Sequence, residues 1–174
     1  IGRIIPEKRI EDIVEILARV RTIGHEVHLH VVGGPDGKGR YSAELQEKLH
    51  KLYPDWVFFE GRIDEESKNS VISNHRYGIS GRIGEPFGIA VAEMVKAGSI
   101  VLVPDNGGQV EIVDHPNLVY LDVPDAVYKI DYLLNNVETH TALREHLLTE
   151  SQKFSVETFQ TQIKGLVSDC VTRR

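Results

Sequence analysis

An α/β domain built on a parallel sheet is the fold class this sequence predicts, and three observations predict it. Segments with apolar residues at helical spacing alternate along the chain with short runs of branched and aromatic residues. One of those runs, Val101-Leu102-Val103, is continuously apolar, as expected of a strand covered on both faces. The length, 174 residues, suits one domain at about 150 residues each.

The elements follow in order. Residues 9–23 place Ile10, Ile13, Val14, Leu17 and Val20 on one face, an amphipathic helix that stops near Gly24. Residues 27–34 read as a strand that runs into glycines, and 35–40 as a turn or loop. A helix over 41–52 turns Leu45, Leu49 and Leu52 inward, and the aromatic and branched run 56–61 is a strand. A short helix over 65–74 leads to a short strand at 76–81. The helix 88–97 precedes the buried strand 99–105, and a short helix at 108–114 precedes a strand at 117–122. From 124 to about 171 the pattern is two or three helices. Counting Arg3-Ile4-Ile5 as the stump of a first strand, the sheet has about six strands, with helices on both faces, in one Rossmann-like domain. Ligands of such sheets sit beyond the carboxyl ends of the strands, so the loops 2–9, 33–40, 61–64, 81–88 and 105–109 are expected to line one rim.

Composition narrows the function. With 41% apolar and 26% charged residues the chain is ordinary for a globular domain and too apolar to be mainly disordered. Cys170 is alone, so no disulfide framework exists, and a reducing, cytoplasmic setting fits. No apolar run approaches the 18 residues of a membrane span, and none of the residues is expected to belong to a signal peptide. Twenty basic against 26 acidic residues leave a net charge of −6, which repels nucleic acid, so an anionic ligand requires a local cluster of cations. The chain opens on Ile1 rather than Met, which suggests a piece of a longer protein.

Two glycine-bearing segments invite a nucleotide. The first, Gly33-Gly34-Pro35-Asp36-Gly37-Lys38-Gly39, fails as a P-loop, because the spacing is one short and no Ser or Thr follows Lys38. Pro35 and the missing helix behind it also exclude the dinucleotide fingerprint. It reads as a flexible turn, with backbone contact to a phosphate or sugar as the alternative. The second runs from Arg82 to Glu93. Gly84 and Gly88 let backbone approach a ligand, and the helix opening near Gly88 turns free amides toward the rim, where a phosphate can bind. Glu85 lies just ahead of that helix and Glu93 about 1.5 turns inside it. A carboxylate accepts from two hydroxyls at once, which suits the vicinal diols of sugars. The plain alternative is a solvated Glu93 with Glu85 as a dipole partner.

Glu85-Pro-Phe-Gly-Ile-Ala-Val-Ala-Glu93 resembles the E-x7-E motif of retaining GT-B glycosyltransferases, in particular glycosyltransferase family 4. Gly2-Arg3-Ile4-Ile5-Pro6-Glu7-Lys8 resembles that family's G-R-x-x-x-x-K opening of the C-terminal domain. Val31-Val32-Gly33-Gly34, Phe59-Glu60-Gly61-Arg62, Gly107-Gly108-Gln109-Val110-Glu111-Ile112-Val113 and Phe154-Ser155-Val156-Glu157 resemble further blocks, in family order and over nearly the whole chain. The resemblance implies a nucleotide-sugar-binding domain over 1–174, the C-terminal half of a GT-B enzyme, whose last helices, about 138–171, face a missing N-terminal domain.

By the same resemblance Arg3 and Lys8 hold the donor diphosphate, and Glu85 binds hydroxyls of the donor sugar beside the amides of Phe87, Gly88 and Ile89. Glu93 binds the ribose, Gly61-Arg62-Ile63 lie against the base with backbone groups reading its edge while the Arg62 side chain is more often solvated, and Gly33 counts among the donor-binding residues. Catalysis falls to Glu85, Arg3 and Lys8. The reaction implied is hexosyl transfer with retention, best matched by mannose from GDP-mannose, with UDP-glucose or another UDP-sugar as the alternative. The acceptor would be a glycan or a lipid-linked glycan, in the cytoplasm or peripheral at the inner face of the membrane. No cofactor and no metal are required, and His28 and His30, which alternate on one strand, are expected to be structural. A non-catalytic nucleotide-sugar-binding module is the competing function. A phosphorylase would need a lysine for pyridoxal phosphate in a strand-end loop, which Lys96 inside a helix does not provide. Hydrolysis by Glu85 and Glu93 does not explain the nearby cations. The sequence departs from the family pattern at His75-Arg76-Tyr77-Gly78-Ile79-Ser80-Gly81 and at Val156, where a Trp is usual. Without the N-terminal half, the fragment is expected to bind donor without turnover.

Overall fold

The computed structural model describes residues 1–35, 37 and 39–172; Asp36 and Lys38 of the first glycine loop lie outside the described residues. Helices α1 (Ile10–Thr22), α2 (Arg40–Leu52), α3 (Glu65–Ser73), α4 (Ile89–Lys96), α5 (Gln109–Val113), α6 (Val123–Asn135), α7 (His140–Ser151) and α8 (Val156–Thr172) alternate with strands β1 (Leu29–Val32), β2 (Val57–Gly61), β3 (Tyr77–Ile79), β4 (Ile100–Pro104) and β5 (Val119–Tyr120) through most of the chain. All the paired strands are parallel, as the alternation of elements requires.

The expected sheet of about six strands is corrected to five strands in two small sheets, ordered β1-β2 and β3-β4-β5. Arg3-Ile4-Ile5 does not become a strand. The Gly2 amide donates to the Val32 carbonyl and the Ile4 amide to the Gly34 carbonyl, both at 2.9 Å. The pairing then stops at a single Ile4–Pro35 bridge. Pro6 has no amide to extend the ladder and opens a 3-10 turn over Pro6–Lys8. β5 is also shorter than its apolar run. Pro116–Leu118 forms a 3-10 turn before it, and Asp122 behind it accepts from the Asp125 amide at 2.9 Å, which starts α6. β1 and β3 flank an apolar slot of about 150 Å3 lined by Ile1, Leu29, Val32, Ile79 and Leu102 among others. Among the described residues neither of these two strands has a second ladder partner.

The core lies around β4, whose residues are all buried. Val20, Val95, Val101, Val103, Ile112 and Leu118 carry no exposed surface. α1 packs along α6, and α4 along α7. Within the range 138–171 the structure separates two behaviours. α7 buries Leu143 and Leu147 in this domain's own core. α8, by contrast, has no buried residue among those described and leaves Val156, Phe159, Ile163, Leu166 and Val167 exposed. No helix of the described residues is long and apolar enough to cross a membrane.

Candidate functional site

The loops at the carboxyl ends of the strands converge on one cleft of about 730 Å3. Its wall carries Arg3, Lys8, Gly33, Arg62, Glu85, Phe87, Gly88, Ile89 and Glu93. The sequence-predicted residues are therefore brought together from segments far apart in the chain. Gly61 is not on the wall; it sits at the end of β2, where its carbonyl accepts from the Gly33 amide at 2.9 Å.

Two glycines make the arrangement possible. Gly33 has φ of 140°, and a Cβ there would fall 1.7 Å from the Gly2 carbonyl oxygen, so any side chain would push away the segment that carries Arg3. Gly107, at φ of 87°, pairs with Glu85 in a parallel bridge, and a Cβ there would lie 2.3 Å from the Glu85 carbonyl oxygen. The Gly108 amide donates to that same carbonyl at 2.9 Å. Buried Gln109 closes the loop from below, its Nε2 donating to the carbonyls of Arg82 at 2.6 Å and Asn106 at 3.2 Å. Backbone contacts between the 81–88 and 105–109 loops thus fix where Glu85 stands.

The side chain of Glu85 faces two cations. Lys8 Nζ donates to Oε2 at 3.1 Å, and Arg82 Nε lies 3.5 Å from the same oxygen. Glu93 Oε1 accepts from Lys68 Nζ at 3.0 Å, and Lys68 also pairs with Glu65 at 3.0 Å. Those hydrogen bonds, the one to Glu93 first, hold the Lys68 pKa above its ordinary value. Gly88 stands in the left-handed region at φ of 101° and starts α4 with no side-chain cap. The first amides of α4 have no partner within the helix, and Gly88, Ile89 and Ala90 all line the cleft. The Phe87 ring meets the Phe154 ring edge-on, with centroids 5.4 Å apart, so the tail segment before α8 props the loop that carries Glu85.

Lys68 and Arg82 were missed by sequence reasoning. Arg82 lies within the segment singled out there, and its reach to Glu85, three residues on, is a signal that spacing could have supplied. Lys68 had none, since beside Glu65 it looks like any exposed i,i+3 pair. Gln109 looked like one residue of a short helix, and only the fold shows it beneath the Arg82 carbonyl. The wall carries Arg3, Lys8, Arg62, Lys68 and Arg82 together with Glu85 and Glu93, a cationic cleft in an acidic chain. Such a cleft can attract a diphosphate, and its two carboxylates can accept from hydroxyls.

Anabaena HepE, solved in complex with UDP and glucose, superposes with a TM-score of 0.80 at 23% identity, covering 97% of this chain and 47% of HepE. Sucrose-phosphate synthase from Thermosynechococcus elongatus gives 0.80 at 24% identity, covering 100% of this chain and 45% of its own. The C-terminal domain of the glycosyl transferase group 1 family protein LpcC from Francisella tularensis gives 0.76 at 17% identity, covering 90% of this chain and 84% of that one. These likenesses are to the fold, the C-terminal domain of GT-B proteins, and the chain spans about half the length of HepE and of the synthase. No curated protein matches the sequence significantly. At the level of sequence, the profile described as Glycosyl transferases group 1 matches residues 1–147, from the Arg3–Lys8 segment through the cleft and into α7, and by that match the chain belongs to the glycosyl transferases group 1 family.

Proposed function

We propose that this chain is the donor-binding half of a retaining glycosyltransferase that moves a hexose from a nucleoside diphosphate to a glycan or lipid-linked acceptor. The observation that carries the reading is the charge of the cleft: five cations and two carboxylates at the carboxyl ends of the strands, in a chain of net charge −6. In this reading Arg3 and Lys8 take the diphosphate and the α4 amides beside Gly88 and Ile89 complete its cradle. Lys8 and Arg82 exchange Glu85 for phosphate oxygens when donor enters, and Glu85 turns to the hydroxyls of the sugar. Glu93, released from Lys68, accepts from the ribose, and Arg62 borders the base. Negative charge grows on the departing diphosphate as the sugar becomes oxocarbenium-like, and fixed cations oriented toward that charge favour the transition state over the ground state. The scheme requires neither a cofactor nor a metal.

A UDP-hexose is the donor favoured, because the structural relatives include complexes with UDP and UDP-glucose. GDP-mannose is the second reading, favoured by the Glu85-Pro86-Phe87-Gly88 form of the segment, which resembles mannosyltransferases. The acceptor contacts belong to an N-terminal domain, and the exposed apolar residues of α8 are the surface assigned to it. The whole enzyme works in the cytoplasm, or at the inner face of the membrane if the acceptor is lipid-linked. Calorimetric titration with UDP, UDP-glucose, GDP and GDP-mannose tests the reading, beside Arg3→Ala and Glu93→Ala. Binding of one base class, weakened at least tenfold in both variants, is expected. Absence of binding to all four, or binding indifferent to both substitutions, overturns it.

A further inference from the structure

Three imidazoles that are far apart in the sequence meet at the amino-terminal ends of β1 and β3. His28 precedes β1, His30 lies within it, and His75 stands in the turn before β3. One ring nitrogen from each lies within 4.8 Å of the other two. The His28–His75 ring centroids are 5.4 Å apart and the His30–His75 centroids 4.5 Å.

We infer that His28, His30 and His75 form a binding site for a divalent transition ion of the zinc class. Geometry carries the inference. His28 Nε2 and His75 Nε2 are 3.3 Å apart. Two nitrogens bound at about 2.0–2.1 Å to one tetrahedral ion are separated by about 3.3–3.4 Å. That edge of the tetrahedron is already formed, and the third imidazole, His30, offers a ring nitrogen within 4.8 Å of both.

The surroundings fit a ligand set. His75 Nδ1 lies 2.6 Å from the Val71 carbonyl, an acceptor only, so Nδ1 carries the proton and Nε2 presents its lone pair. His30 Nδ1 lies 2.5 Å from Glu60 Oε1 in the same manner, which leaves its Nε2 for the ion. A carboxylate behind a histidine raises its basicity and holds its ring, the support that bound histidines commonly have. His28 is exposed, so the fourth position opens to water. The ion would also have a structural task. β1 and β3 belong to different sheets with no ladder between them, and a shared ion would tie one to the other.

The test is titration of the chain with zinc sulfate by calorimetry and with cobalt(II) by visible absorption. The result expected is one ion per chain, with cobalt absorption of tetrahedral intensity and a thermal midpoint that rises with zinc. His75→Ala abolishes all three, and His28→Ala, at an exposed position where folding is not at stake, does the same. Glu60→Gln keeps the stoichiometry and weakens binding about tenfold or more. No saturable binding by the folded chain overturns the inference. So does binding that survives both alanine variants, since the ion would then sit elsewhere.

Discussion

Glu85 shows how much of a candidate site can rest on a residue that touches no ligand. Gly107 allows the 105–109 loop to lie against the Glu85 backbone, and it does so at a φ of 87° with no room for a methyl group. Gly107→Ala imposes a left-handed alanine and a clash with backbone, for a destabilisation of about 2 kcal/mol. Urea unfolding should show that loss, and donor binding should weaken with it because the Glu85 carbonyl and side chain move together. An unchanged urea midpoint would mean that the loop relaxes freely. Lys8 presents the opposite case. Its ion pair with Glu85 is partly solvated and adds little to stability, so its weight is expected in ligand binding.

At the scale of elements, α3 is set by the residue just ahead of it. Asp64 caps it, with Oδ1 accepting from the Ser67 amide at 2.7 Å, and that hydrogen bond holds the carboxyl below its ordinary value. A carboxyl lowered in the folded state stabilises it above the unfolded pKa of about 3.9, and the contribution disappears as pH falls through the lower folded value. Asp64→Ala should therefore lower the melting temperature at pH 7, and the gap from the parent should close in acid. A gap that persists after the carboxyl is protonated would show that the cap is not what stabilises α3. This helix carries Lys68, so its position governs the partner of Glu93. That Arg3-Ile4-Ile5 forms no sixth strand also has an element-scale cause, the proline that ends the pairing of the N-terminal segment after one bridge.

Over the whole molecule, stability and exposed surface separate along the chain. α7 closes the core, while α8 has no buried residue among those described. A chain ending at Ser155 should unfold cooperatively within about 0.5 kcal/mol of the parent. It keeps Phe154 against Phe87, so donor binding should persist as well. Loss of cooperative unfolding would show that α8 is part of the core. The charge distribution has its own signature. A cationic cleft in an acidic chain makes binding of diphosphates sensitive to salt, more so than binding of monophosphates. Calorimetry at low and high sodium chloride checks this, and equal slopes for the two ligand classes would count against a diphosphate seat.

The order of helices and strands was legible in the sequence because it is written in local periodicity, which survives without knowledge of the partners. So were most loops of the rim, since a parallel sheet puts successive strand ends on one side, although 105–109 lies against the Glu85 backbone and not on the cleft wall; so was the segment from Glu85 to Glu93, whose glycines and helix start lie within a few residues of each other. What tertiary structure decided are the distances between segments remote in the chain. It split the sheet between β1 and β3, paired Lys68 with Glu93, and turned Lys8 and Arg82 toward Glu85. It also joined His75 to two histidines that, alone on their strand, had read as structural. Each of those meetings depends on how the elements pack, and residue spacing along a chain carries no measure of that.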